Sequence, residues 1–334
     1  MITKSIDTEA LSSRYRNEAI DVPGRRVLIT NFVGTEQERD LSEPPNCNGF
    51  GRVRHFHRRR SARWMPNPLP IDPACRALGL GDAGTVRAQV FQNAVCNWRC
   101  WYCFVPFSLL NANKRHADWM TPGDLLDLYL ADPAPPPMID LTGGQPDLTP
   151  EWVPWMMEEL ERRNLTEKVY LWSDDNLSND YFWRYVTDKQ RAAIKAYRNY
   201  GRVACFKGID RESFAFNTAA DPRLFDDQFD LFRRFVDMGL DMYAYTTFTT
   251  PDLDAARPAL VDFVDRLQRI HPLLPLRTVP LEVTMFTPVQ TRMNSRCEDA
   301  MTNQYAVASY WEEELARRFT SEDRAKNICD LALQ

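Results

Sequence analysis

The sequence contains no run of about 18 apolar residues, the length a helix needs to cross a bilayer. Its amino end, MITKSIDTEALSSRYRNEAI, has neither the continuous apolar core nor the small-residue cleavage site of an export signal. Strong charge of either sign is missing too. The 41 lysines and arginines against 46 aspartates and glutamates leave a formal net charge of -5, so nucleic-acid or anionic-membrane contact would have to be local. No internal repeat and no low-complexity tract is visible. These absences point to a cytoplasmic protein, and a hydrophobic content of 44% over 334 residues suffices for a sizeable core in one large α/β domain or two smaller ones.

Eight cysteines are present. In a long chain without an export signal, clustered cysteines read as metal ligands or catalytic groups rather than as disulfide partners. Cys47, Cys75, Cys205, Cys297 and Cys329 stand singly, as small buried hydrophobes often do. The other three crowd one loop: VCNWRCWYCF, residues 95–104, carries Cys96, Cys100 and Cys103 at C-x3-C-x2-C spacing. A structural zinc site asks for four ligands. No second C-x2-C or H-x3-H pair supplies them, since His55 and His57 are one residue apart and His116 stands alone. Zinc here would need a ligand from elsewhere, such as His116 or Cys75, in a non-enzymatic scaffold module. An iron-sulfur cubane on three thiolates instead leaves one iron open to a small molecule.

From residue 86 onward, short β-type runs alternate with helical segments: VRAQVFQ (86–92), MIDLT (138–142), KVYLWS (168–173), RVACFK (202–207), DMYAYTTFT (241–249) and RTVPLEVTMF (277–286). A helix over NDYFWRYVTDKQRAAIKAYRNYG is expected to stop at Gly201. Six βα-like units predict an α/β fold of the partial TIM barrel kind, a (β/α)6-type parallel sheet, with an open doubly wound sheet as the alternative. The expected division is an N-terminal extension or cap over 1–85, a core over 86–290, and a C-terminal lid and helix over 291–334. In either topology the chemistry belongs at the carboxyl ends of the strands, where the cysteine loop, GGQP, DDNLSND and GIDRES all fall. The basic stretch RVRHFHRRRSAR (52–63) reads as a solvated face or a set of internal salt bridges rather than a phosphate contact.

The cysteine spacing directly after a first strand, with Tyr102 before the last cysteine, resembles the cluster motif of the radical S-adenosylmethionine superfamily. That resemblance implies a 4Fe-4S cluster on Cys96, Cys100 and Cys103, its open iron chelated by S-adenosylmethionine, and Tyr102 near the adenine. Trp98, Trp101 and Phe104 either shield the cluster or simply pack the loop. LTGGQP resembles the glycine-rich segment of that superfamily, implying that Gly143, Gly144, Gln145 and Pro146 help bind the methionyl amino group; Gln145 stands where the family usually has Glu. Ser173, Asp174, Asp175 and Asn176 either contact the ribose or carboxylate of the cofactor or cap the following helix. Lys207 in FKGID resembles the lysine of the glycyl-radical-enzyme activases, although Cys205 stands where those commonly place Asp; its other reading is a surface charge.

The implied activity is reductive cleavage of S-adenosylmethionine to methionine and a 5'-deoxyadenosyl radical, which takes hydrogen from a small metabolite, peptide or protein. A one-electron donor such as flavodoxin or ferredoxin is the implied partner. Cys205 and Cys297 are either hydrogen-atom donors or buried structural cysteines. The extension or TPVQTRMNSRCEDAM (287–301) would roof the lumen. A different class, an RNA-modifying or nucleic-acid-binding protein, would use Arg58, Arg59 and Arg60 of the basic stretch.

Overall fold

A computed structural model describes residues 5–59 and 61–333, so Arg60 of the basic stretch lies outside the described residues. The strands are β1 Ile20–Asp21, β2 Arg26–Thr30, β3 Gly51–His57, β4 Thr85–Gln92, β5 Ala117–Met120, β6 Met138–Thr142, β7 Tyr170–Asp175, β8 Tyr200–Phe206, β9 Met242–Thr247 and β10 Thr278–Leu281. The helices are α1 Thr8–Ala19, α2 Ile71–Leu78, α3 Pro122–Leu130, α4 Trp152–Arg162, α5 Tyr181–Tyr185, α6 Asp188–Ala196, α7 Arg211–Thr218, α8 Leu224–Met238, α9 Ala256–Ile270, α10 Thr287–Gln290, α11 Ser295–Arg318 and α12 Ser321–Ala325.

The main sheet runs β3-β4-β6-β7-β8-β9-β10. From β4 to β10 every pairing is parallel, and the curled sheet forms an open half-barrel, the partial TIM barrel expected. A small antiparallel sheet, β1-β2-β5, stands beside it.

Three local expectations change. The extension expected outside the sheet supplies a strand from the basic stretch: β3 pairs antiparallel with β4 from Gly51↔Phe91 to His57↔Thr85 and adds a seventh strand at the edge. Its alternating arginines, aromatics and histidines hid that period, because both faces carry polar groups. The helix expected to stop at Gly201 breaks instead at Thr187, which caps α6 in a capping box with Gln190. Gly201 lies inside β8, where a methyl group would strike the Tyr170 hydroxyl and come within 2.8 Å of the Trp172 ring. The last strand ends at Leu281 because Gln304 of α11 takes over the next backbone groups, accepting from Val283 N–H at 2.9 Å and donating to its carbonyl at 3.0 Å.

Strand alternation sorts the core into two faces. Ile139, Leu141, Leu171, Ala204, Phe206 and Ala244 pack outward against the helices. Tyr170, Trp172, Val203, Cys205, Tyr243 and Tyr245 face inward, and the base of the lumen is plugged by Leu69, Ile71 and Cys75. Trp172 and Tyr243 rings lie 5.7 Å apart there. Each such side chain fully buried contributes about 1.5–3 kcal/mol. A plugged base leaves the carboxyl-terminal mouth as the working end of the lumen. A groove of about 1440 Å³, lined by residues such as Arg58, Cys75 and Ile328, contains none of the loop cysteines, the glycine turn, Asp174 or Lys207.

Candidate active site

The cysteine loop leaves β4 and is tied down at every turn. Asn93 accepts from Val95 N–H at 3.2 Å and donates to Thr149 Oγ1 at 2.8 Å. Arg99 donates to the carbonyls of Cys96 and Trp98 at 2.6 and 2.8 Å and to the Tyr15 hydroxyl at 2.6 Å. Trp101 donates its indole N–H to Asn217 Oδ1 at 3.0 Å. From the far end of the chain, Arg292 donates to the carbonyls of Cys103 and Val105 at 2.7 and 3.0 Å and stacks 3.7 Å over the Phe107 ring.

All eight cysteines are free thiols, with Cys96 buried and Cys100 and Cys103 half-buried. Burial pushes all three loop thiols up, Cys100 to about 12. Backbone N–H groups of Trp98 and Val105 pull Cys96 and Cys103 the other way, as does the charge of Lys207 for all three. Metal binding therefore has to displace protons from a site already lined with amide donors and cations. Among the described residues, no three His, Cys, Asp or Glu side chains are arranged around one metal ion. A cubane makes a different demand, a thiolate on each of three irons. Free, aromatic-shielded thiols with N–H donors to sulfur fit that group. Asn176 adds a side-chain donor 3.9 Å from Cys96 Sγ, and its buried Oδ1 has no partner among the described residues.

The glycine turn sits against this loop. Gly143 and Gly144 adopt φ +73° and +61°. A methyl group at Gly144 would run into the Val95 carbonyl and come within 2.5 Å of the Asn93 carbonyl, so close backbone approach alone requires glycine there. Gln145 is buried and fully bonded: its N–H donates to Val95 O at 2.7 Å, its amide to Asp175 Oδ1 at 2.7 Å, and its Oε1 accepts from Asn176 N–H at 2.9 Å. It ties the ends of β4, β6 and β7 together. Pro146 opens the 3-10 turn Pro146–Leu148.

Strand parity separates the four polar residues that end β7 and follow it. Ser173 faces the helices and bonds the Tyr200 hydroxyl at 2.7 Å. Asp175 is fixed there as well, accepting from Leu177 N–H at 2.8 Å in the loop that follows and meeting buried Arg202 at 2.9 Å, beside a second Arg202 contact to Asp147. Asp174 alone points into the lumen, half-buried and bonded to the Thr142 hydroxyl. The capping reading is not met: the helix that follows, α5, has Asp180 at its N-cap.

On β8 the same parity brings Cys205 and Lys207 inward. Burial lowers the pKa of the Lys207 ammonium, and Cys205, Tyr102 and Cys100 beside it raise it, with a net rise. Tyr102 is half-buried with its hydroxyl 3.3 Å from Thr247 Oγ1. The mouth therefore collects Cys96, Cys100, Cys103, Tyr102, Asp174, Cys205 and Lys207. Cys297 lies apart, in a small apolar cluster with Trp101, Val289 and Ala300 at the start of α11.

Three participants escaped the sequence reading. Asp140 lies inward on β6, fully buried, with neither carboxyl oxygen partnered among the described residues. Burial, then the charge of Asp174, pushes its pKa well up. Arg54 faces it from β3, and Arg292 reaches the loop from 189 residues away. Only the parity of β6 could have flagged Asp140; nothing local marks Arg292.

Fold and site together define a partial (β/α)6 barrel with a three-thiol site at its carboxyl-terminal mouth. No family model and no curated protein matches the chain. Among solved structures it is similar to Streptococcus suis SuiB bound to S-adenosylmethionine, at 13% identity and a TM-score of 0.46, over 68% of this chain and 47% of that one. It is also similar to SuiB bound to precursor peptide SuiA (14%, 0.37, 53% and 36%) and to hexahistidine-tagged anSMEcpe with bound AdoMet (13%, 0.37, 52% and 45%). The chain spans less than half the length of each of these proteins. These are likenesses of fold, and the functional reading rests on this chain's own residues.

Proposed function

We propose that this chain is a cytoplasmic radical S-adenosylmethionine enzyme, served by a one-electron donor such as flavodoxin or ferredoxin. Cys96, Cys100 and Cys103 hold a 4Fe-4S cluster, and S-adenosylmethionine lies between that cluster, the Gly143–Gly144 turn, Asp174 and Lys207. The observation that carries the reading is the gathering of three free thiols from one loop at the mouth of a parallel half-barrel, beside Lys207 and Tyr102. When bound, the cluster and cofactor supply one-electron chemistry that removes a hydrogen atom from a substrate carbon.

The protein's own residues orient and exclude. Lys207 neutralises an anionic group at the strand end, and Asp174 accepts from hydroxyl or ammonium donors. Trp98 and Trp101, both buried, keep water from the thiols. Gln145 and Asp175 position the turn without touching ligand, because their polar atoms are already engaged. Of the two cysteines, Cys205 shares the lumen with Lys207 and is the one placed to give a hydrogen atom to a substrate radical; its thiyl would then be restored by one electron from the donor and a proton.

The test is anaerobic. After reconstitution with iron and sulfide and reduction with dithionite, the wild type is expected to bind about four irons with matching sulfide and to release 5'-deoxyadenosine from S-adenosylmethionine. The Cys96→Ala, Cys100→Ala, Cys103→Ala triple variant is expected to do neither. Stoichiometric zinc without labile sulfide would overturn the reading in favour of a structural loop.

A further inference from the structure

Strand β3 borders a pocket of about 270 Å³ that reaches the cysteine loop. Arg52, Arg54, His55 and His57 line it from the strand, and Phe104 and Phe286, with rings 5.8 Å apart, close it on the side of the loop. The volume is at the small end for a ligand site, right for one compact functional group. Its one acidic residue is already engaged: Asp40 accepts from the N–H and hydroxyl of Thr287 at 3.1 and 2.9 Å. His55 meets Glu43 at 2.5 Å, and His57 Nδ1 lies 3.0 Å from the Thr85 hydroxyl.

Arg54 differs from these. It is half-buried over the Phe56 ring at 4.1 Å, and its guanidinium has no hydrogen-bond partner among the described residues. Asp140, Asp174 and Tyr245 are its titratable neighbours across the lumen. Asp140 and Asp174 offset part of the arginine's charge from the lumen side, but no hydrogen bond among the described residues holds its fork. A rigid guanidinium fork in a basic, partly dry pocket is suited to a bidentate oxyanion.

We propose that this pocket is an anion-binding subsite, in which Arg54 takes the carboxylate or phosphate of a small substrate whose reacting carbon lies toward the cysteine loop. The inference rests on the reading of that loop as the catalytic centre. A polynucleotide fits less well: Arg58, the next arginine along the chain, is tied to Asp72 and Asp82 rather than open to a phosphate.

The test is calorimetric titration of the full-length protein, at low ionic strength, with inorganic phosphate and with succinate. Saturable binding of either is expected, and which one binds tells phosphate from carboxylate. Arg54→Gln is expected to weaken it at least tenfold, about 1.4 kcal/mol, with Arg54→Lys retaining part of it. Phe286→Trp, which fills the pocket and leaves the charge intact, is expected to weaken it as well, and unchanged melting temperatures show that the variants fold. No binding to the wild type, or equal binding to Arg54→Gln, overturns the subsite. Iron and sulfide are measured on the same preparations after reconstitution. A full cluster without anion binding overturns this inference alone, whereas anion binding in a protein that takes up no iron overturns the reading of the loop and leaves the anion site standing.

Discussion

At the residue scale, the site depends on positions whose chemistry is easy to misassign. Gly144 is the clearest. It carries a left-handed backbone and stands so close to the Val95 and Asn93 carbonyls that any side chain must push the cysteine loop away. Gly144→Ala is therefore expected to cost about 3 kcal/mol and to lower iron uptake, because it displaces the strand end that launches Cys96. Urea midpoints and iron content of the variant measure this; a variant with wild-type values for both would refute it. Asp174 and Asp175 make the complementary point. Adjacent and chemically identical, they face opposite sides of β7, so one reaches the lumen and the other is locked to Arg202.

At the scale of elements, the mouth is assembled by segments remote in sequence. The stretch after β10 crosses the cysteine loop, with Arg292 bonded to two of its carbonyls and Thr287 bonded to Asp40 of the N-terminal part. These contacts fix the loop itself. Arg292→Gln removes a charge-assisted pair of hydrogen bonds, each worth about 1.5–3 kcal/mol. Backbone hydrogen exchange over residues 96–107 is expected to quicken in that variant while the β6–β9 strands keep their protection. Exchange that stays unchanged across the loop would show that the strap holds nothing.

At the scale of the whole molecule, a cluster bound only by the folded chain must stabilise it by mass action. The reconstituted wild type is expected to melt above its chelator-treated form, and the triple cysteine variant to melt at one temperature whether or not iron and sulfide are supplied. Differential scanning calorimetry reads both, and an iron-dependent shift in the triple variant would place the metal elsewhere.

Much of this molecule was legible before its structure. The six parallel strands announced themselves through apolar runs set between helical segments, and three cysteines in eight residues stand out as a ligand set by spacing alone. Such features are local: strand period, turn residues and ligand spacing are written within a few positions. The structure alone decided that RVRHFH joins the sheet, that Asp140 and Arg54 share the lumen, that Gln145 bonds across the strand ends, and that Arg292 braces the loop. Each depends on contacts between segments tens to hundreds of residues apart, or on which way a strand's parity turns a side chain. Hydrophobic pattern dictates that parity only where one face is apolar, and β3 and the end of β7 are polar on both.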